Sequence, residues 1–178
     1  LSLLKACNKN KAFPQVNCVY EHLVQHNVVL SFSLGDYLVM MLAKCGSLKN
    51  AFKILRRLPR RSVFSWTAII SSYVDSGQGQ EALTCYKKMQ TQGLSPDAVT
   101  FICILKACGC IGDIDKGIEI HDEIVLNGYI LDENIMLATA LVDMYAKCCM
   151  LAKAQNVIEE LSVRNEVIWS ALLAGYVQ

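Results

Sequence analysis

The stretch that decides the fold of this chain is Ala140-Leu141-Val142-Asp143-Met144-Tyr145-Ala146-Lys147-Cys148, because it is the second copy of an earlier stretch. Its last three residues repeat Ala43-Lys44-Cys45 after an interval of 103 residues. Trp66 returns as Trp169 at the same interval. Self-similarity at a fixed period indicates a solenoid or another repeat array, whose extended surface offers nearly equivalent positions to an extended partner.

The repeated element is a pair of helices. Apolar residues from Trp66 to Val74 follow the i, i+3, i+4, i+7 spacing of an amphipathic helix, and Gly77 stands where that helix is expected to end. A second helix is predicted over 81–92, after which Ser95-Pro96-Asp97 interrupts the helical pattern. A lone hairpin of this size cannot bury its apolar faces, so we predict an all-α fold in which neighbouring hairpins stack.

The same plan divides the whole chain into units of alternating length. We predict an incomplete first unit and a final one that is only begun, and we treat the units together as one solenoid domain. Their boundaries are 1–31, 32–62, 63–97, 98–134, 135–165 and 166–178.

Composition limits the functional classes. The formal net charge of +1 does not force nonspecific polyanion binding, and the longest apolar runs are too short to predict a membrane span. Nine cysteines recur mainly on apolar helical faces, which favours free thiols in a reducing compartment. The chain begins at Leu1 rather than at methionine, so we expect a fragment and draw nothing from the lack of a targeting peptide.

Two-helix units near this length occur in tetratricopeptide repeats, which bind proteins, and in pentatricopeptide repeats, which bind single-stranded RNA. Trp66-Thr67-Ala68-Ile69-Ile70, with the closing Ser95-Pro96-Asp97, resembles the P-type pentatricopeptide motif. Leu105-Lys106-Ala107-Cys108, with Gly112-Asp113, is similar to the longer L-type, and the stretch 140–148 to the short S-type. The order L, S, P, L, S, P resembles the PLS class of plant organelle proteins.

That resemblance implies a right-handed α-solenoid in which each unit reads one base. In the family, the fifth residue of the first helix and the last residue of the unit make the reading. In the P unit these are Thr67 and Asp97, which resemble the guanine-reading pair, since a carboxylate accepts from an N–H edge. In the second S unit they are Thr139 and Asn165, which resemble the adenine-reading pair, since an amide both donates and accepts.

Other units depart from this pattern. The first S unit has Asp36 and Ser62, which match no clear reading in the family, and Ser170 holds the fifth position of the last unit. The L unit has Ile102, which cannot form a hydrogen bond through its side chain, together with Asn134. With the family's parallel polarity, the readable address is roughly 5′-x-G-x-A-3′.

The resemblance also assigns contacts around the bases. The second residue of each unit wedges a base against its neighbour, and a lysine near the end of the first helix approaches a backbone phosphate. Ser33 departs from the apolar pattern at the second position. The wedging residues are Phe64, Val99, Met136 and Val167, and the phosphate contacts are Lys44 and Lys147.

Simpler explanations stand beside these assignments. Threonine, aspartate and asparagine are common at helix starts, so the base-reading residues are also capping candidates, Asp97 above all. Arg56, Arg57, Arg60 and Arg61 either compensate a helix dipole or contact phosphates. The phase of the two tryptophans favours packing in the core over stacking on bases.

No catalytic constellation stands out, and we predict that this segment is not an enzyme and holds no cofactor. Cys18, His22 and His26 have helical metal-ligand spacing, but no fourth ligand is evident. The predicted function is sequence-specific binding of single-stranded RNA in a mitochondrion or chloroplast, as part of a cytidine-to-uridine editing specificity factor whose partners include editing accessory proteins. A deaminase domain would lie outside this segment, since its metal-binding signature is not found here. The alternative is a protein-interaction scaffold without base recognition.

Overall fold

The computed structural model describes residues 13–26, 31–162 and 166–176, and across these residues it contains ten α-helices, one 3-10 turn at Leu131–Glu133 and no strand. The prediction of an all-α fold is therefore confirmed. In chain order the helices are α1 (Phe13–Gln25), α2 (Phe32–Lys44), α3 (Leu48–Arg57), α4 (Val63–Asp75), α5 (Gly79–Gln90), α6 (Ala98–Ile111), α7 (Ile114–Leu126), α8 (Ile135–Lys147), α9 (Leu151–Glu160) and α10 (Glu166–Tyr176).

The helices form two layers. The even-numbered helices α2, α4, α6, α8 and α10 pack on one another in chain order, and we call them the first-helix layer. Each of α3, α5, α7 and α9 packs against the two even-numbered helices that flank it in the chain, and we call these the second-helix layer. This contact pattern is that of a solenoid, because each unit touches only its neighbours. The assignment of unit boundaries and types stays a prediction.

Side chains at the helix starts set where the first helices begin. Ser62, Asp97 and Asn134 precede α4, α6 and α8, and each accepts a hydrogen bond from the backbone N–H three residues later. These bonds are 3.1, 2.8 and 3.2 Å long. The capping role weighed for Asp97 is thus confirmed, and it satisfies a donor that the helix itself leaves unpaired.

Turns between paired helices need a left-handed residue. After α2 that residue is Gly46, with φ of 74°, and after α8 the equivalent place is held by Cys149, with φ of 59°. Both turns place the same backbone bonds onto the preceding helix, so the chain path is shared although the residue differs. Because a side chain is strained in this region, Cys149 marks a local cost that glycine avoids.

The two tryptophans, both expected in the core, differ in burial. Trp66 is 3% exposed, lies edge-on to Phe52 with ring centroids 6.3 Å apart, and donates from Nε1 to Gln92 at 3.2 Å. Trp169 is 44% exposed, so its predicted core position is wrong in this structure. Phe52 precedes α4 in the chain and Gln92 follows it, and for α10 no residue after Tyr176 is described that could take the place of Gln92.

The described cysteines are free thiols, and several serve as small apolar residues. Cys85, Cys103 and Cys108 are buried, whereas Cys45 and Cys148 are half-buried. Burial raises the pKa of Cys85 to about 11 and that of Cys108 to about 12. Their thiols therefore stay protonated at neutral pH, as packing residues require.

Candidate nucleic-acid interface

A groove of about 630 Å³ opens on the first-helix layer where α2, α4 and the start of α6 meet. Five residues for which the sequence predicts RNA contact line it together, although they come from three separate parts of the chain. They are Lys44, Phe64, Thr67, Asp97 and Val99. The groove thus brings together one predicted base-reading pair, two predicted wedging residues and one lysine.

A second groove of about 400 Å³ lies two first helices further along the same layer, between α6, α8 and α10. Thr139 lies in it, flanked by the apolar residues Met136 and Val167, and Ile102 forms part of its wall. Asn165, the predicted partner of Thr139, lies outside the described residues. The groove therefore repeats the threonine and its two apolar neighbours.

The wedging candidates are exposed apolar side chains. Phe64 is 49% exposed, Val99 57%, Met136 72% and Val167 61%. Each stands at the second position of its predicted unit, near the start of a first helix. Apolar faces spaced along one layer offer stacking or van der Waals surfaces to successive flat rings, which is how single-stranded nucleic acid is commonly held.

A continuous chain of hydrogen bonds links the two residues of the P-unit pair. The hydroxyl of Thr100 donates to Asp97 Oδ1 at 2.7 Å, and Thr100 Oγ1 lies 2.6 Å from Thr67 Oγ1. The backbone N–H of Thr100 donates to the same Oδ1 at 2.8 Å. Thr100 was not singled out from the sequence, because the equivalent positions later in the chain, Leu137 and Ile168, are apolar.

The fifth residue of the first predicted S unit, Asp36, is buried like Thr67 but lines neither groove. Asp36 is 7% exposed and accepts from the Ser65 hydroxyl at 2.5 Å, and neither described groove includes it. Its predicted partner Ser62 is engaged as a helix cap. The carboxylate of Asp36 is therefore satisfied inside the interface between two units instead of facing a groove.

The remaining base-reading candidates bond locally. Thr139 Oγ1 donates to the carbonyl of Ile135 at 2.7 Å, and Ser170 Oγ donates to the carbonyl of Glu166 at 2.7 Å. Asn134 caps α8. Each hydroxyl thus donates its proton to a carbonyl of its own helix, and its oxygen lone pairs can accept a hydrogen bond from a ligand.

The two predicted phosphate contacts are not electrostatically equivalent. Lys44 is exposed, and it forms no ion pair with any residue in the described ranges. Lys147 Nζ lies 2.8 Å from Asp143 Oδ2, one helical turn away, and Asp143 itself lines the second groove. The helix position that holds Asp143 in α8 holds Met40 in α2, so only one of the two lysines carries an uncompensated charge.

The arginine cluster belongs to a different surface. Arg56 and Arg57 occupy the last turn of α3, which is in the second-helix layer, and Arg61 Nε donates to the Leu55 carbonyl at 3.4 Å. Basic side chains at this end interact favourably with the helix dipole. Neither described groove of the first-helix layer includes them.

The metal alternative finds no support from further ligands. His22 and His26 lie together on α1 and just beyond it, with ring centroids 4.4 Å apart, and Cys18 is exposed. Over residues 13–26, 31–162 and 166–176, no group of three or more histidine, cysteine or acidic side chains is placed to hold a metal ion. In the same ranges, no helix is long and apolar enough to cross a bilayer.

Comparison with known proteins gives matches along the chain. The PPR repeat family matches residues 61–110, and a PPR repeat matches residues 99–129. Two chloroplastic pentatricopeptide repeat-containing proteins of Arabidopsis thaliana are 32% and 34% identical over 98% of this chain, which covers 28% and 33% of them. A mitochondrial one is 29% identical over 100% of this chain and 23% of its own length. This chain thus spans a third or less of these relatives.

Solved structures with the same fold include the pentatricopeptide repeat protein PPR10 in complex with an 18-nt psaJ RNA element, at a TM-score of 0.77 and 17% identity. That match covers 98% of this chain and 26% of the other. The nuclear proteinaceous RNase P 2 of Arabidopsis thaliana matches 98% of this chain and 40% of its own at a TM-score of 0.75 and 18% identity. At these identities the likeness shows the fold, a stacked helical-repeat solenoid.

Proposed function

Because this chain belongs to the pentatricopeptide repeat family, we propose that its first-helix layer binds single-stranded RNA and reads it base by base. The observation that carries the proposal is the groove that gathers Lys44, Phe64, Thr67, Asp97 and Val99. Those side chains supply what an unpaired nucleotide needs: apolar faces for the ring, polar groups for its edge and a cation for its phosphate.

Recognition at the P unit rests on Thr67 and Asp97. Asp97 Oδ1 is occupied by Thr100, while Oδ2 makes no hydrogen bond within the described ranges and is available as an acceptor. An acceptor on this wall suits guanine, whose Watson–Crick edge carries N–H donors. Phe64 and Val99 flank the pair and would hold the ring between them.

Recognition at the second S unit follows the same plan with adenine as its base. Thr139 offers lone pairs, since its proton is bonded to the Ile135 carbonyl, and these suit the amino group of adenine. Asn165 would supply the donor that adenine N1 requires. Ile102, Asn134, Asp36, Ser62 and Ser170 stay assigned to base positions without a stated preference.

Within an organelle, the binding would serve RNA processing, and we propose that the complete protein helps to specify a cytidine-to-uridine editing site. The chloroplastic and mitochondrial names of relatives support the compartment, while the editing role rests on the resemblance to PLS-class proteins. The partners would be an organelle transcript and editing accessory proteins. An editing assay on the full-length protein, with the target transcript as readout, separates this role from RNA binding without editing.

The competing function is a protein-interaction scaffold, with a peptide in the same grooves. It predicts that binding does not depend on the identity of one base and that replacing an acceptor by a donor at Asp97 has no effect. A single measurement of base preference therefore distinguishes the two functions.

That measurement is RNA binding by fluorescence anisotropy at fixed salt, with single strands that differ only at the position opposite the P unit. The wild type is expected to prefer guanine there. Asp97→Asn keeps an oxygen for Thr100 but replaces the free oxygen by an amino donor, so the preference should move to adenine. Binding that ignores the base in both proteins refutes base readout, and the absence of any binding favours the scaffold.

A further inference from the structure

Among the described residues, the buried polar or charged side chains other than aromatic ones form two pairs between neighbouring first helices. One pair is Asp36 with Ser65, and the other is Thr67 with Thr100. Buried polar groups cost free energy unless they are hydrogen-bonded, so such pairs need a reason beyond packing. In the second pair, Thr67 lines the proposed guanine site, and the fully buried Thr100 bonds to it from α6.

The direction of the hydrogen bonds around Thr100 follows from counting protons. A hydroxyl has one proton, and that of Thr100 is donated to the acidic side chain of Asp97 at 2.7 Å. Thr100 Oγ1 and Thr67 Oγ1 are 2.6 Å apart, a separation that requires a proton between them. That proton can only be the one on Thr67, so Thr67 donates and Thr100 accepts.

A consequence follows for the groove. With its proton turned inward to Thr100, Thr67 Oγ1 presents only lone pairs to a ligand. Asp97 Oδ2 on the same wall is also an acceptor. Two neighbouring acceptors fit a base edge that carries two neighbouring donors. Guanine N1–H and N2–H₂ form such an edge, whereas adenine and cytosine place a ring acceptor next to the amino group and uracil has a single donor.

We infer that Thr100, the third residue of the following unit, is a specificity-determining positioning residue that fixes Thr67 as a hydrogen-bond acceptor and thereby makes the P-unit site selective for guanine. The residue touches no base in this arrangement and acts through Thr67 and Asp97. The inference rests on the proposed RNA-binding function and adds to it a third residue, contributed by the neighbouring unit.

The decisive variant is Thr100→Val, which removes the hydroxyl from a fully buried side chain of nearly the same shape. Thr67 then has no fixed acceptor, so its proton can turn toward the ring acceptor of adenine or cytosine. The ratio of guanine to adenine affinity at this position is expected to fall about three- to tenfold, the usual effect of one hydrogen bond. Thr100→Ser restores the hydroxyl and should restore the ratio.

The same chain offers two internal controls. Selectivity at the second S unit should stay unchanged in Thr100→Val, because the Thr139 hydroxyl donates to the Ile135 carbonyl of its own helix. Thr84→Val makes the same chemical change on α5, where the hydroxyl bonds to the Gln80 carbonyl in an exposed position, and should leave the guanine ratio unchanged. If Thr100 had a merely structural role, Thr100→Val would lower the melting temperature and would weaken binding to the RNA equally for each of the four bases at the P-unit position.

A probe that alters the RNA keeps the test independent of any variant's folding. Inosine retains N1–H and lacks the N2 amino group, so the wild type should bind it about three- to tenfold more weakly than guanine at the P-unit position. Equal affinity for inosine and guanine, or undiminished selectivity in a folded Thr100→Val protein, overturns the inference and leaves RNA binding standing. A wild type that ignores the base at this position defeats the proposed readout itself, which is a separate result.

Discussion

Replacing Asp143 by asparagine should strengthen RNA binding, although Asp143 belongs to neither of the predicted base-reading residue pairs. In α8 its carboxylate lies 2.8 Å from Lys147 Nζ, and the two side chains are 27% and 35% exposed. Asp143→Asn leaves the lysine charge uncompensated beside the second groove. Each added phosphate contact on a single strand steepens the slope of log affinity against log salt by about 0.7. Between 50 and 200 mM salt, the variant should therefore lose about 2.6-fold more affinity than the wild type.

The assay is anisotropy with one RNA at several salt concentrations, read as the slope. Glu119→Gln is the matched control, because it opens the Lys116–Glu119 ion pair of 2.7 Å on α7, away from both grooves. Lys44→Met should flatten the slope by about 0.7, since this lysine is not compensated. The reasoning is refuted if Asp143→Asn leaves the slope unchanged, or if Glu119→Gln changes it equally.

Three further predictions concern the fold. Trp66→Ala should lower the free energy of unfolding by about 3–5 kcal/mol, whereas Trp169→Ala, at the equivalent but half-exposed site, should cost clearly less; similar denaturation midpoints would contradict the difference in burial. Cys149→Gly should raise the melting temperature, because a residue with a side chain in the left-handed backbone region costs about 1 kcal/mol that glycine avoids. A lower melting temperature would contradict that account. Burial raises the pKa of Cys85 to about 11 and of Cys108 to about 12, so these folded thiols should resist alkylation at pH 8 and react as pH rises toward those values, which peptide mapping would detect.

Much of the fold follows from the sequence, since helix starts and ends depend on local chemistry. The spacing of apolar residues predicted α8 at 135–147 as the structure has it, and α7 at 114–126 likewise. Asp97 was recognisable as a helix cap because aspartate accepts from the free N–H groups of a first turn. Local rules of this kind do not depend on what packs against the helix.

What the sequence could not supply depends on neighbours. Trp66 and Trp169 have the same residue type and the same place in the repeat, yet their burial differs. Trp66 contacts Phe52 from the preceding helix and donates to Gln92 from the following turn, whereas the described residues after Trp169 end at Tyr176. Repetition predicts the residue type at a position, whereas burial also depends on the residues that pack against it. Equivalent positions in the repeat can therefore differ in burial.

The candidate site shows the same division. The grooves gather residues that the repeat register had already selected, because the first helices pack side by side. Thr100 escaped prediction because its position is apolar in the later units, and its role appears only through its distances to Thr67 and Asp97. The pairing of Lys147 with Asp143 could have been found from their i, i+4 spacing in the sequence.

The most direct test of the account is where bound RNA touches the protein. Ultraviolet cross-linking of a single-stranded RNA, followed by mass spectrometry of the linked peptides, reports that location residue by residue. We expect cross-links in the first-helix layer, with Phe64 among them and its link lost in Phe64→Leu. Cross-links confined to the second-helix layer, such as the arginines at the end of α3, would contradict the central claim that this layer's grooves hold the RNA.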